Sequence, residues 1–82
     1  MNNELQAPAF GIAVGVVWAL GVFFAGIAAM FSWGGAFVAV LGSFYLGYGP
    51  SIVGAIIGAI WAVVDGFVAG FVIAWIYNKL AA

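Results

Sequence analysis

Three side chains in this protein carry a formal charge: Glu4, Asp65 and Lys79. Of these only Asp65 lies far from both ends, inside the run WAVVDGFVAGF from Trp61 to Phe71, where every neighbour is apolar. A carboxyl group in such surroundings has few chemistries open to it: it lines an ion path, relays a proton or bonds a partner. The chain has no cysteine and no histidine, which removes thiolate catalysis, the usual general bases and most metal sites. No enzymatic activity, cofactor or metal is expected. A single Lys and no Arg give no basic patch, so nucleic acid is not an expected partner. The glycines form no phosphate loop, because no lysine follows a Gly-rich turn.

The elements that hold Asp65 follow from composition. Of the 82 residues, 70% are hydrophobic and 4% charged, whereas a soluble domain carries about 25% charged residues. Three charges cannot cover a soluble fold. Two apolar runs, Ala9 to Phe31 and Ser51 to Tyr77, exceed the roughly 18 residues that suggest a membrane-crossing helix. At about 1.5 Å per residue each spans a hydrocarbon core of about 30 Å, the second with length to spare for tilt. The leader MNNELQAP contains no Lys or Arg, so a cleaved signal peptide is not expected.

The expected fold is therefore all-α, a transmembrane helical hairpin. It divides into a polar leader over residues 1–8, helix 1 over 9–31, a connection over 32–50, helix 2 over 51–77 and a tail over 78–82. Pro8 suits a first helical turn, and Ser32, Trp33, Gly34 and Gly35 break the first run. The segment AFVAVLG, Ala36 to Gly42, is too short to cross a bilayer and too apolar for a solvated loop. It reads as a short helix lying in the interface, with Phe37, Val40, Leu41 and Phe44 on one face. Gly47, Gly49 and Pro50 stop it, and Ser51 caps helix 2. Trp33, Tyr45 and Tyr48 are expected as anchors at one interface, and Trp75, Tyr77 and Lys79 at the other. Trp18 and Trp61 fall too deep for that role and are expected in the helix seam, each indole N–H needing an acceptor. Lys79 and the positive-inside rule place both termini in the cytoplasm.

In lipid, helices associate where small residues let backbones approach. On helix 1, Gly11, Gly15 and Ala19 form such a face, continued by Val22, Gly26 and Ala29. On helix 2, Gly54, Gly58, Ala62, Asp65 and Ala69 fall on one stripe and Ala55, Ala59, Gly66, Gly70 and Ala74 on an adjacent one. Two small-residue faces predict one contact with helix 1 and one with another molecule, hence a homo-oligomer; the alternatives are a single hairpin using one broad seam, or Gly/Ala abundance that reflects composition alone. An aspartate at a helix centre costs about 2.5–3.5 kcal/mol on an insertion scale, against roughly −4 to −8 from the surrounding Ile, Val and Phe. Insertion survives, and the remaining cost predicts that Asp65 turns toward protein. Its role is then either an ion path or a structural hydrogen bond to a backbone carbonyl or a neighbouring chain.

The stretches VVWALGVFFAG, AFVAVLGSFYLGYGPS and GAIWAVVDGFVAGFVIAWIYNKL resemble a family of small prokaryotic two-helix membrane proteins, labelled bacteriophage holin-like or left uncharacterised. The resemblance runs from Phe10 to Leu80, and its most specific parts are LGSFYLGYGPS, the segment Trp61 to Gly66 and AWIYNKL. The family pattern often has an acidic residue where this chain has Ala39. The resemblance implies hairpins that accumulate in a bacterial inner membrane and assemble through Gly/Ala seams into a pore or lesion, with Asp65 facing the interior. Two other classes remain open: an accessory subunit of a larger membrane complex, and a proton-translocating rotor-ring subunit using Asp65. Against the rotor ring, the connection is aromatic and uncharged, where that family has a polar, arginine-containing loop.

Overall fold

A computed structural model describes residues 4–82; the first three residues of the polar leader lie outside the described residues. Three helices follow in order: α1 over Ala7–Ala29, α2 over Gly35–Gly42 and α3 over Ile52–Ala81. The two long helices run antiparallel, giving a rod of 48 × 18 × 18 Å. Both are long and apolar enough to cross a membrane.

Local chemistry sets the ends. Pro8 occupies the first turn of α1. The chain leaves α1 through a Schellman turn: Trp33 N–H bonds Ala28 O at 3.1 Å and Ser32 N–H bonds Ala29 O at 3.1 Å. Ser32 takes the left-handed conformation, φ 65°, where glycine usually sits. Gly34, also left-handed at φ 73°, starts α2. Ser51 is extended and its hydroxyl accepts the Gly54 N–H at 2.8 Å, satisfying one of the unpaired donors of a helix start. No breaker follows Tyr77, and α3 continues through Asn78 and Lys79 to Ala81.

The packing inverts the order of a soluble core. Small residues are inside: Gly11, Gly15, Val22 and Gly26 of α1 meet Gly54, Ala55, Gly58, Ala62, Gly66, Gly70 and Ala74 of α3. Large ones, such as Val17, Phe24, Ile60 and Val64, are outside. The two stripes expected on α3 merge into one seam, because Gly54, Gly58, Ala62, Gly66, Gly70 and Ala74 form an unbroken i, i+4 row. That seam is filled from within the chain. Asp65 and Ala69, expected on it, are exposed: a residue beside Gly66 in sequence is turned about 100° away around the helix.

The connection does not lie across the end of the hairpin. It folds back along it, and α2 buries Val38 and Leu41. The face turned to the hairpin is Val38, Leu41 and Tyr45, spaced i, i+3, i+7; of the expected apolar face Leu41 is buried with it, while Phe37, Val40 and Phe44 are exposed. Phe37 meets Trp18 edge-on, with ring centroids 6.4 Å apart. At the opposite end, Asn78 clamps the chain start: its Oδ1 accepts the Leu5 N–H and its Nδ2 donates to Leu5 O, both at 2.8 Å.

Candidate functional site

The folded-back connection brings three segments together at one point. Trp18 of α1 donates its indole N–H to the Tyr45 hydroxyl at 2.9 Å. Tyr45 in turn donates to Asp65 Oδ2 of α3 at 2.5 Å. Donor directions are fixed by chemistry: an indole N–H only donates, so the phenol oxygen accepts there and its own hydrogen is left for the carboxyl group. Burial, and then the bond to Asp65, raise the Tyr45 phenol above its ordinary value. It is a firm hydrogen donor at neutral pH.

Why tyrosine reaches so far is a matter of local structure. The Tyr45 N–H bonds Leu41 O at 2.7 Å, extending α2 by a further turn, so Tyr45 falls in line with the buried Val38 and Leu41. Gly47, at φ 91°, then reverses the chain. Tyr48 follows on the inner side, donating its hydroxyl to Val22 O at 2.7 Å. Its ring occupies the space above Gly58 that any Cβ would fill. Trp61 locks the loop from α3, its indole N–H on Leu46 O at 2.9 Å and its ring stacked on Tyr45 at 11° and 6.0 Å.

Among the described residues Asp65 Oδ1 receives no hydrogen bond. The residue lines a cleft of about 280 Å³ together with Phe44, Tyr45, Trp61 and Val64. Asp65 is thus half tied to its own chain and half presented outward, where full inward orientation was expected. No three metal-ligating side chains cluster among the described residues.

The other sequence-derived candidates separate into two groups. Gly11, Gly15, Gly26, Gly58, Ala62, Gly66 and Gly70 are buried within the hairpin, Ala19 is half-buried, and Gly54 packs against Gly49 and its own cap Ser51. Trp33, Trp75 and Tyr77 are exposed, with Lys79 Nζ 5.3 Å from the Trp75 ring centroid. Tyr45 and Tyr48 are corrected: at 3% and 7% exposure they are core residues, not surface anchors. A phenol that can bond a buried carboxyl or carbonyl gains more there than at a wet surface. Sequence reasoning sought a charge to pair with Asp65 and missed a hydroxyl.

No family model matches the chain, and no curated protein or solved structure matches it significantly.

Proposed function

We propose that this protein is a non-catalytic integral membrane protein and the protomer of a membrane assembly, a homo-oligomer in which the Asp65 face looks into an interior shared between copies. Membrane residence rests on the inverted packing. In each long helix only 22% of the most apolar window is buried, while a core helix of a soluble protein would be mostly covered. Lipid is the solvent that tolerates Val, Ile and Phe on every outer side. In the connection the turn amides at Ser43, Phe44, Tyr45 and Tyr48 are hydrogen-bonded and Trp61 covers Leu46 O, which lowers the cost of holding them away from water. Both termini then share one side.

The observation that carries assembly is the outward Asp65. Its small-residue seam is already used within the hairpin, so glycine packing is not what recruits a second copy. An open carboxyl oxygen at mid-helix costs about 2.5–3.5 kcal/mol against lipid, and a protein-lined or hydrated interior removes most of that penalty. A pore of the holin-like kind is one form such an interior takes. The Trp18, Tyr45, Asp65 chain does not make a proton wire across the hairpin, because it ends on an indole that cannot accept.

Native mass measurement in mild detergent tests the proposal. Homogeneous multiples of 8.4 kDa are expected, and Asp65→Leu should shift them toward the single chain. A monodisperse monomer, or stable capture in a larger complex of other proteins, would sink the homo-oligomer and in the second case favour an accessory subunit. If the assembly is a pore, induced expression collapses membrane potential; growth at intact potential excludes that form.

A further inference from the structure

Two clefts sit side by side on α3 and differ in one respect. The first, about 250 Å³, is lined by Ile12, Val16, Val63, Val64 and Phe67 and is wholly apolar. The second, about 280 Å³, shares Val64 but replaces the rest with Phe44, Tyr45, Trp61 and Asp65. A ligand recognised by apolar contact alone would fit either. A polar or positively charged ligand tells them apart.

The second cleft is built for such a charge. Asp65 Oδ2 is held by Tyr45, which fixes the carboxyl group at the cleft wall and leaves Oδ1 without a hydrogen bond among the described residues. Trp61 is immobilised by its bond to Leu46 O and by stacking on Tyr45, yet stays 41% exposed. Phe44 meets Tyr45 edge-on at 5.1 Å and is 56% exposed. Aromatic rings beside a carboxylate attract a cation through both the ring quadrupole and the charge. Among the described residues the chain places no cation there. Its one basic residue, Lys79, sits over Trp75, about 21 Å along the helix from Asp65.

The size and softness of the cation follow from the lining. A bare metal ion wants several oxygen ligands, and only one free carboxyl oxygen faces an otherwise aromatic and aliphatic wall. An inorganic anion finds no positive partner, and a strongly hydrated ammonium would give up most of its water for a single carboxyl oxygen and an apolar wall. We propose that the Asp65 cleft binds a hydrophobic organic cation of the quaternary ammonium or phosphonium class. The inference rests on the membrane residence argued above but not on the assembly.

Full-length protein in lipid nanodiscs, titrated with tetraphenylphosphonium and with the like-shaped anion tetraphenylborate, provides the test. The cation should bind saturably and perturb tryptophan fluorescence through Trp61, and the borate should not. Asp65→Asn should weaken the cation about tenfold or more, the loss expected for one charged contact. Trp61→Phe should weaken it about threefold, and Val16→Leu in the apolar cleft should leave it unchanged. Equal binding of both ions overturns the proposal without any variant. So does undiminished affinity in an Asp65→Asn protein of wild-type helicity, or absence of saturable binding by wild type. Loss of binding with native mass intact refutes this site alone, while binding by a monomer refutes only the assembly.

Discussion

The two ends of the hairpin are built from the same residue type used in two ways. Toward the termini, glycines bring backbone against backbone: a Cβ on Gly66 would lie 2.7 Å from Gly15 Cα, and one on Gly15 would lie 2.7 Å from Val63 O. Toward the connection, Gly58 and Gly26 instead make room for the Tyr48 ring. One end is a dry two-helix contact held by dispersion and closed by the Asn78 clamp. The other is a three-segment contact held by side-chain hydrogen bonds and stacked rings. Small residues thus do not by themselves mean helix on helix; they mark where something must come close, and here the something differs between ends.

The comparison can be broken most severely at its dry end. Gly66→Leu should lower stability by about 3 kcal/mol, the upper end of ordinary overpacking, measured by denaturant titration in micelles, because rigid backbone at Gly15 cannot yield. Tyr45→Phe comes next, at about 2 kcal/mol: it orphans the Trp18 indole and releases Asp65, so Trp18 emission should shift while the Leu5 to Asn78 end keeps its amide protection. Tyr48→Phe removes one bond to a helix carbonyl and should lose about 1 kcal/mol. Both phenols are raised by burial, so their contribution is intact below about pH 10 and declines as pH climbs through the higher folded values. Alkaline titration should therefore loosen the connection end before the terminal end, and simultaneous loss would erase the distinction. The smallest effects sharpen it. Ser32→Gly should stabilise by about 0.5–1 kcal/mol through the left-handed turn, and Gly21→Ala, with nothing within 4 Å of its added Cβ, should stay within about 0.5 kcal/mol of wild type.

Much of this architecture was legible in the sequence because its signals are local. Run length marked α1 and α3, Pro8 and Ser51 marked their starts, and the glycines of α1 fell on the face that packs. On α3 the same rule divided one seam into two, since alternative small-residue rows differ by a single step around the helix. Asp65 was assigned to the seam by that step and stands at its rim. The connection was read least well. A helix of eight residues has too few turns for its pattern to distinguish a face resting on an interface from one folded against its own hairpin.

What the amino acids settled unaided was the solvent-facing character of the chain and its helical form, because apolar content and run length act through every residue independently of partners. What tertiary structure alone decided was the environment of Asp65. Whether that carboxyl group meets Tyr45, and whether an oxygen is left over for something else, depends on a loop returning along the rod to within hydrogen-bonding distance. Such a return is a cooperative result of Val38, Leu41, Tyr48 and Gly58 fitting at once, and no spacing along the chain encodes it.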